Sequence, residues 1–223
     1  MKKLFVLILY APDTHSTEKQ SLLMLNSMIH EINTTKTYSV YNSTIHILSD
    51  QDHKNAIENT LESLNSSITF RWLGDSYSDI DIMNHHLNTH VQRAVVSTDA
   101  SHFLVVDSSL PIFTHQMLSD AVDWEIDINI GMTSEQKSAL ILFHKLFTPF
   151  FFRISDTSIK TGDRSLILFQ QYKRKVSTLD PKYFQKFDRN DETGYQSILT
   201  HLKTHNNPYN IELLRILSDK LDL

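Results

Sequence analysis

The sequence predicts an α/β fold: a mostly parallel central sheet flanked by helices, with a helical C-terminal section. Three observations predict it. Short apolar runs alternate with stretches of helical spacing through the first half of the chain, the signature of a parallel sheet wrapped by helices. Phe103–Val106 is a short unbroken apolar run, which suits a strand covered on both faces. From about Glu192 onward the apolar residues return at helical intervals only. A chain of 223 residues can bury a sizeable core. Residues 1–205 are read as one α/β domain and residues 206–223 as a C-terminal helix packed on it.

Leu4–Tyr10 is the first strand. The preceding lysines give MKKLFVLILY the look of a secretion signal, but the run is short and no small-x-small site follows. Thr17 and Gln20 have capping-box spacing, and Leu22, Leu25, Met28, Ile29 and Ile32 follow on one helical face. Thr44–Leu48 is β-branched and apolar, a second strand closed by Ser49-Asp50-Gln51-Asp52. Ile57, Leu61 and Leu64 mark a second helix. Ile68–Leu73 is a third strand ending at Gly74-Asp75. A helix through Leu87, Val91, Ala94 and Val95 then leads into Phe103–Val106.

That fourth apolar run stops at Asp107, and Ser108, Ser109 and Pro111 turn the chain away. An acid at the carboxyl end of a buried parallel strand stands where open α/β sheets bind ligands. The same residue type also caps turns, so Asp107 is either a ligand-binding acid or a cap.

Phe113–Val122 reads as a short helix and Ile126–Ile130 as another strand. Thr133 and Gln136 repeat the capping-box spacing ahead of Ala139, Leu140, Phe143 and Phe147, which predicts a helix ended by Pro149. Phe150–Ile154 and Ser165–Phe169 are further strand candidates, and residues 170–189 are basic and irregular. Helices are predicted from about Glu192 to His205 and over Ile211–Leu221.

Composition narrows the function. There is no cysteine, which removes disulfides, thiolate metal sites and cysteine nucleophiles and fits a reducing, cytoplasmic setting. Only four glycines are present, and neither GxGxxG nor GxxxxGK[ST] occurs, against dinucleotide and P-loop sites. Nothing approaches the roughly 20 apolar residues of a membrane span, which leaves peripheral association as the one membrane option. Residues 1–149 hold 9 Lys+Arg against 17 Asp+Glu, and residues 150–223 hold 12 against 9. An acidic body with a basic tail section could draw an anionic partner toward the tail, and a solvated surface explains it equally well. His86 and His90, like His201 and His205, are four apart, but no Glu completes an HExxH zinc motif.

The order of parts resembles the GT-A class of nucleotide-diphospho-sugar transferases, a Rossmann-related fold. The resemblance rests on LFVLILYAPDTHSTEKQSLLMLNSMI, on ILSDQD after the second strand, on NHHLNTHVQRAVVSTDASHFLVVDSS, and on SLILF followed by DRNDETGYQSILTHL. It implies a glycosyltransferase that moves a sugar from a nucleotide sugar to an acceptor hydroxyl on a glycan, lipid-linked sugar, protein or nucleic acid. It further implies that Asp107 contacts a metal or ribose beside the hydroxyls of Ser108 and Ser109. Asp50 and Asp52 would lie near base or ribose, Asp75 would be comparable, and Asp191 or Glu192 would be the catalytic acid or base. Lys173, Arg174 and Lys175 could meet phosphate.

The departure is at Asp107-Ser108-Ser109, where the class usually has Asp-x-Asp. The second acid is missing, so an Mn or Mg ion chelated between paired acids and diphosphate is in question. That gap motivates a second reading, an inactive relative acting as a binding or assembly protein. A nucleic-acid-binding module is a third reading, opposed by the overall acidity. For Asp50 and Asp52 a capped helix start, and for Asp191 and Glu192 the helix dipole, account for the acids without any ligand.

Overall fold

The computed structural model describes residues 2–10, 16–38, 41–49, 52–61, 68–72, 89, 91–121, 128–132, 138–147, 176–178, 192–205 and 207–218. Seven strands form one sheet in the order β3-β2-β1-β4-β6-β5-β7. Strands β1 (Lys2–Leu9), β2 (Tyr41–Ser49), β3 (Ile68–Trp72) and β4 (His102–Asp107) pair in parallel. Beyond β4 the sheet becomes mixed. Strand β6 (Ser138–His144) runs antiparallel to both β4 and β5 (Ile128–Met132), and β7 (Val176–Thr178) pairs in parallel with β5. The expected parallel sheet therefore holds for the half that carries Asp107 and gives way past it.

Side chains alternate along each strand, so each face has its own core. Leu4, Val6 and Ile8 of β1 join Leu104 and Val106 of β4 on one face, beneath α1 (Glu18–Tyr38), α2 (Lys54–Leu61) and α4 (His115–Ala121). Phe5, Leu7, Phe103 and Val105 line the other face, where Val91 and Ala94 of the helical residues 91–97 (α3) cover them. Outside α1 lies a further layer, α5 (Glu192–Thr204) and α6 (Pro208–Ser218). Ile198, Leu199, Leu202, Leu213 and Leu217 of these helices pack with Met24 and Ile112.

The start of α1 shows the predicted capping box. Thr17 Oγ1 accepts from the Gln20 amide at 3.3 Å, and Gln20 Oε1 accepts from the Thr17 amide at 2.9 Å. Leu25, Met28, Ile29 and Ile32 form the buried stripe of that helix. A Thr17→Ala variant is expected to lose about 1 kcal/mol of stability, read as a lower urea midpoint at unchanged slope.

One prediction fails outright. Residues 138–144 are a strand, not the helix expected through Ala139, Leu140, Phe143 and Phe147. SALILFH is a nearly continuous apolar run, which has no period of its own. Pairing with β4 and β5 decides its form: Leu140 and Leu142 face one core while Ile141 and Phe143 face the other. Strand β7 falls inside the stretch read as irregular. The strand candidates 150–154 and 165–169 lie outside the described residues.

Candidate functional site

Four segments end at the carboxyl edge of the parallel strands. Register places Leu9 of β1 beside Leu48 of β2 and Asp107 of β4. Two backbone bonds then continue the edge past the strands: Tyr10 N–H donates to the Leu48 carbonyl and Ser108 N–H to the Leu9 carbonyl, each at 2.9 Å. Ser49 and Trp72 close β2 and β3 at the same level.

Asp107 is half-buried, and its Oδ1 accepts from the Ser109 amide at 2.8 Å. The cap reading is therefore part of the answer: the carboxylate holds the turn that its own strand enters. Being next in alternation after Phe103 and Val105, Asp107 belongs to the sheet face covered by α3. An open hollow of about 560 Å³ runs along the outer, exposed side of α3, away from the Val91 and Ala94 that cover the sheet, its described lining formed by Thr89, Gln92, Arg93, Val96 and Ser97.

The opposite face at this edge is polar. Tyr10 is buried beside His53, ring edge to face at 5.5 Å, and His53 Nδ1 lies 3.6 Å from Glu18 Oε1 in the first turn of α1. The hydroxyls of Ser21, Ser49 and Ser109 are buried without a hydrogen-bond partner. All three sit at this end: the first turn of α1, the end of β2 and the turn after β4. Buried polar atoms are nearly always paired, so three orphans at one sheet edge mark a place suited to a polar ligand.

The other sequence candidates divide. Asp52 is exposed in the turn ahead of α2, one residue from His53. Glu192 is exposed at the first position of α5. Tyr195 reaches the Leu217 carbonyl near the end of α6 at 3.4 Å, and Glu212 of α6 pairs with Lys19 at 2.9 Å. Helix α5 thus begins at the end of the layer where α1 begins, the end that carries the carboxyl edge. Asp50, Asp75, Asp191, Lys173, Arg174 and Lys175 lie outside the described residues, as do His86 and His90. His201 and His205 stack at 4.0 Å, within the helical layer.

No group of three or more His, Asp or Glu able to hold a metal ion occurs among the described residues. Asp107 supplies one carboxylate, already engaged as a cap. Mg-type ions are held by one or two carboxylates, with water and substrate phosphates completing the shell, so Asp107 would supply one ligand to an ion brought in with a nucleotide. The sequence missed Tyr10, Glu18 and His53. A tyrosine closing an apolar run was the one visible signal, because the approach of His53 to Glu18 depends on the packing of α1 against α2.

The overall fold is similar to that of solved nucleotide-diphospho-sugar and nucleotidyl transferases. Among solved structures of that fold, a 4-diphosphocytidyl-2C-methyl-D-erythritol synthase from Anaerococcus prevotii is similar at TM-score 0.58 and 12% identity, covering 89% of this chain and 96% of its own. A nucleotidyl transferase from Methanothermobacter is similar at TM-score 0.58 and 9% identity, covering 91% and 99%. A candidate nucleotide-diphospho-sugar transferase from Desulfovibrio desulfuricans is similar at TM-score 0.52 and 14% identity, covering 96% and 98%. No protein-family model matches the sequence, and no curated protein does. Among the described residues, no helix is long and apolar enough to cross a membrane.

Proposed function

We propose that the chain is a nucleotide-dependent transferase that holds a nucleotide sugar at the carboxyl edge of β1, β2 and β4 and moves the sugar to an acceptor hydroxyl. The observation that carries this reading is Asp107, half-buried at the end of the parallel half of the sheet with orphaned serine hydroxyls at the same edge. In the reaction the acceptor oxygen bonds to the anomeric carbon, and the bond from that carbon to the diphosphate breaks. The nucleoside diphosphate leaves with the electron pair, and a carboxylate takes the hydroxyl proton. Glu192 and Asp191 are the proposed proton acceptors, and Asp107 with Ser108 and Ser109 the proposed ribose contacts. Asp50, Asp52 and Asp75 are proposed to line the base and ribose end.

Nucleotidyl transfer is the second reading, because two of the similar structures are described as transferring or building with nucleotides. There an acceptor phosphate oxygen attacks the α-phosphorus of a nucleoside triphosphate and pyrophosphate leaves. The segment Tyr10–Thr17 that follows β1 contains no glycine. Backbone cradles for a triphosphate rely on glycine for close approach, which favours sugar transfer here.

Asp107→Asn separates the cap from the ligand contact, since an amide oxygen still accepts from the Ser109 amide while the charge is gone. In calorimetric titrations with UDP, CDP, GDP and ADP and their sugars, with and without manganese, the wild-type chain is expected to bind one nucleotide class. Asp107→Asn is expected to weaken that binding about tenfold or more at an unchanged melting temperature. Release of nucleoside diphosphate identifies sugar transfer and release of pyrophosphate identifies nucleotidyl transfer. Binding without turnover points to a non-catalytic relative, and no binding under any condition rejects the proposal.

A further inference from the structure

The segment that carries Asp107 is gripped from behind by the C-terminal helices. Ile112, five residues past Asp107, packs with α5, α6 and Met24 of α1. Three residues on, the first turn of α4 is fastened by Glu31 of α1. Its Oε2 accepts from the His115 amide at 3.0 Å and lies 3.1 Å from the His115 ring nitrogen Nδ1. The other oxygen of the same carboxylate, Oε1, accepts from Asn207 Nδ2 at 3.0 Å. Asn207 is in turn the cap of α6, its Oδ1 taking the Asn210 amide at 2.8 Å. One buried carboxylate therefore joins the amino ends of α4 and α6.

A carboxylate in this position is not required for folding α1, whose apolar stripe is complete without it. A methionine or leucine would fill the same space without the cost of burying a charge. What the carboxylate adds is direction, since it accepts from two helix starts at once. We infer that Glu31 is a positioning residue for the ligand edge: through α4 it sets the conformation of the turn from Asp107 to Thr114, and α6 holds Glu31 in place. The inference rests on the proposed nucleotide site at Asp107 for its functional consequence, but the mechanical link stands apart from it.

The experiment compares wild type, Glu31→Gln, Asn207→Ala and Ser27→Ala in the full chain, at a temperature well below every melting point. Glu31→Gln keeps the volume and one acceptor oxygen. Ser27→Ala removes the bonds from Asn207 Nδ2 and to Asn210 Oδ1 in the same network without touching the Glu31 carboxylate. Two quantities are read: amide hydrogen exchange over residues 108–118, and affinity for the nucleoside diphosphate that wild type binds best. Glu31→Gln and Asn207→Ala are expected to speed exchange in that segment about tenfold and to weaken nucleotide binding about tenfold. Ser27→Ala is expected to lower the melting temperature and leave both readouts at wild-type values. Wild-type exchange over 108–118 in Glu31→Gln overturns the link. Faster exchange with unchanged affinity overturns the positioning role and leaves the nucleotide site standing. If wild type binds no nucleotide, the functional reading falls, and the exchange comparison alone decides whether Glu31 sets the turn.

Discussion

Phe103→Ala is expected to lower the unfolding free energy by about 4 kcal/mol, within the range for a deleted buried phenylalanine. The residue is 1% exposed in β4, the middle strand of the sheet, which is bonded on both sides by β1 and β6. Its register partners are Phe5 and Phe143, and the three rings form a row with centroids 5.6 and 5.7 Å apart. Truncation removes the middle ring, so two aromatic contacts are lost along with the buried area. For a chain of this size the melting temperature should fall by about 10 °C. Val96→Ala, at an 82% exposed position, is the control and should stay within about 0.5 kcal/mol of wild type. Urea unfolding of the two variants checks both figures, and near-equal midpoints would show that the row does not hold the sheet together.

Glu31→Ala is expected to cost about 3 kcal/mol at neutral pH. It strips the acceptor from the buried Asn207 amide group and from the His115 amide, and an orphaned buried donor costs about 1–3 kcal/mol. The pH dependence carries a second, sharper signature. Burial pushes the Glu31 carboxyl up, but the Asn207 side chain, the His115 amide, the His115 ring and its charge together hold it below the usual value of 4.5. A folded-state value below the unfolded one means stability that is fully present above 4.5 and is lost as pH falls through the folded value. Glu212, bonded by Arg215 and then Lys19, is drawn down to about 2 and acts in the same direction. It is exposed, so salt weakens its share.

His201 opens a separate and higher window. Burial, reinforced by the charge of His205 and opposed by Glu31, brings it from 6.5 to about 4. The unfolded chain therefore takes up its proton first, and stability declines as pH drops from 6.5 toward 4. Wild type should lose stability in two stages, whereas Glu31→Ala, lacking the carboxylate that raises His201, should show a larger upper stage and a shallower lower one. Denaturant melts from pH 7 to pH 2 at fixed ionic strength test this. Parallel curves below pH 4.5 would mean that Glu31 is not bonded as described.

Much of the architecture was legible in the chain because it is written in local periods. The spacing of Leu25, Met28, Ile29 and Ile32, the Thr17–Gln20 cap and the apolar runs ending at Ser49 and Asp107 each depend on residues within a turn or two of one another. Helices α5 and α6 were visible for the same reason. The acid at the end of β4 was visible too, but not its double character as a cap and a half-buried edge group.

The sequence by itself thus determined the parallel half of the sheet, its crossover helices and the place where Asp107 ends a strand. Only the tertiary structure decided that residues 138–144 form a strand running against β4. A continuous apolar run suits helix and strand alike, and its partners lie far away along the chain. It also decided the meaning of Glu31, a charge on an inward face of α1 that reads as a misfit until the amino ends of α4 and α6 converge on it. Local patterns carry period, whereas hydrogen-bond partners contributed by distant segments leave no mark in the spacing of residues.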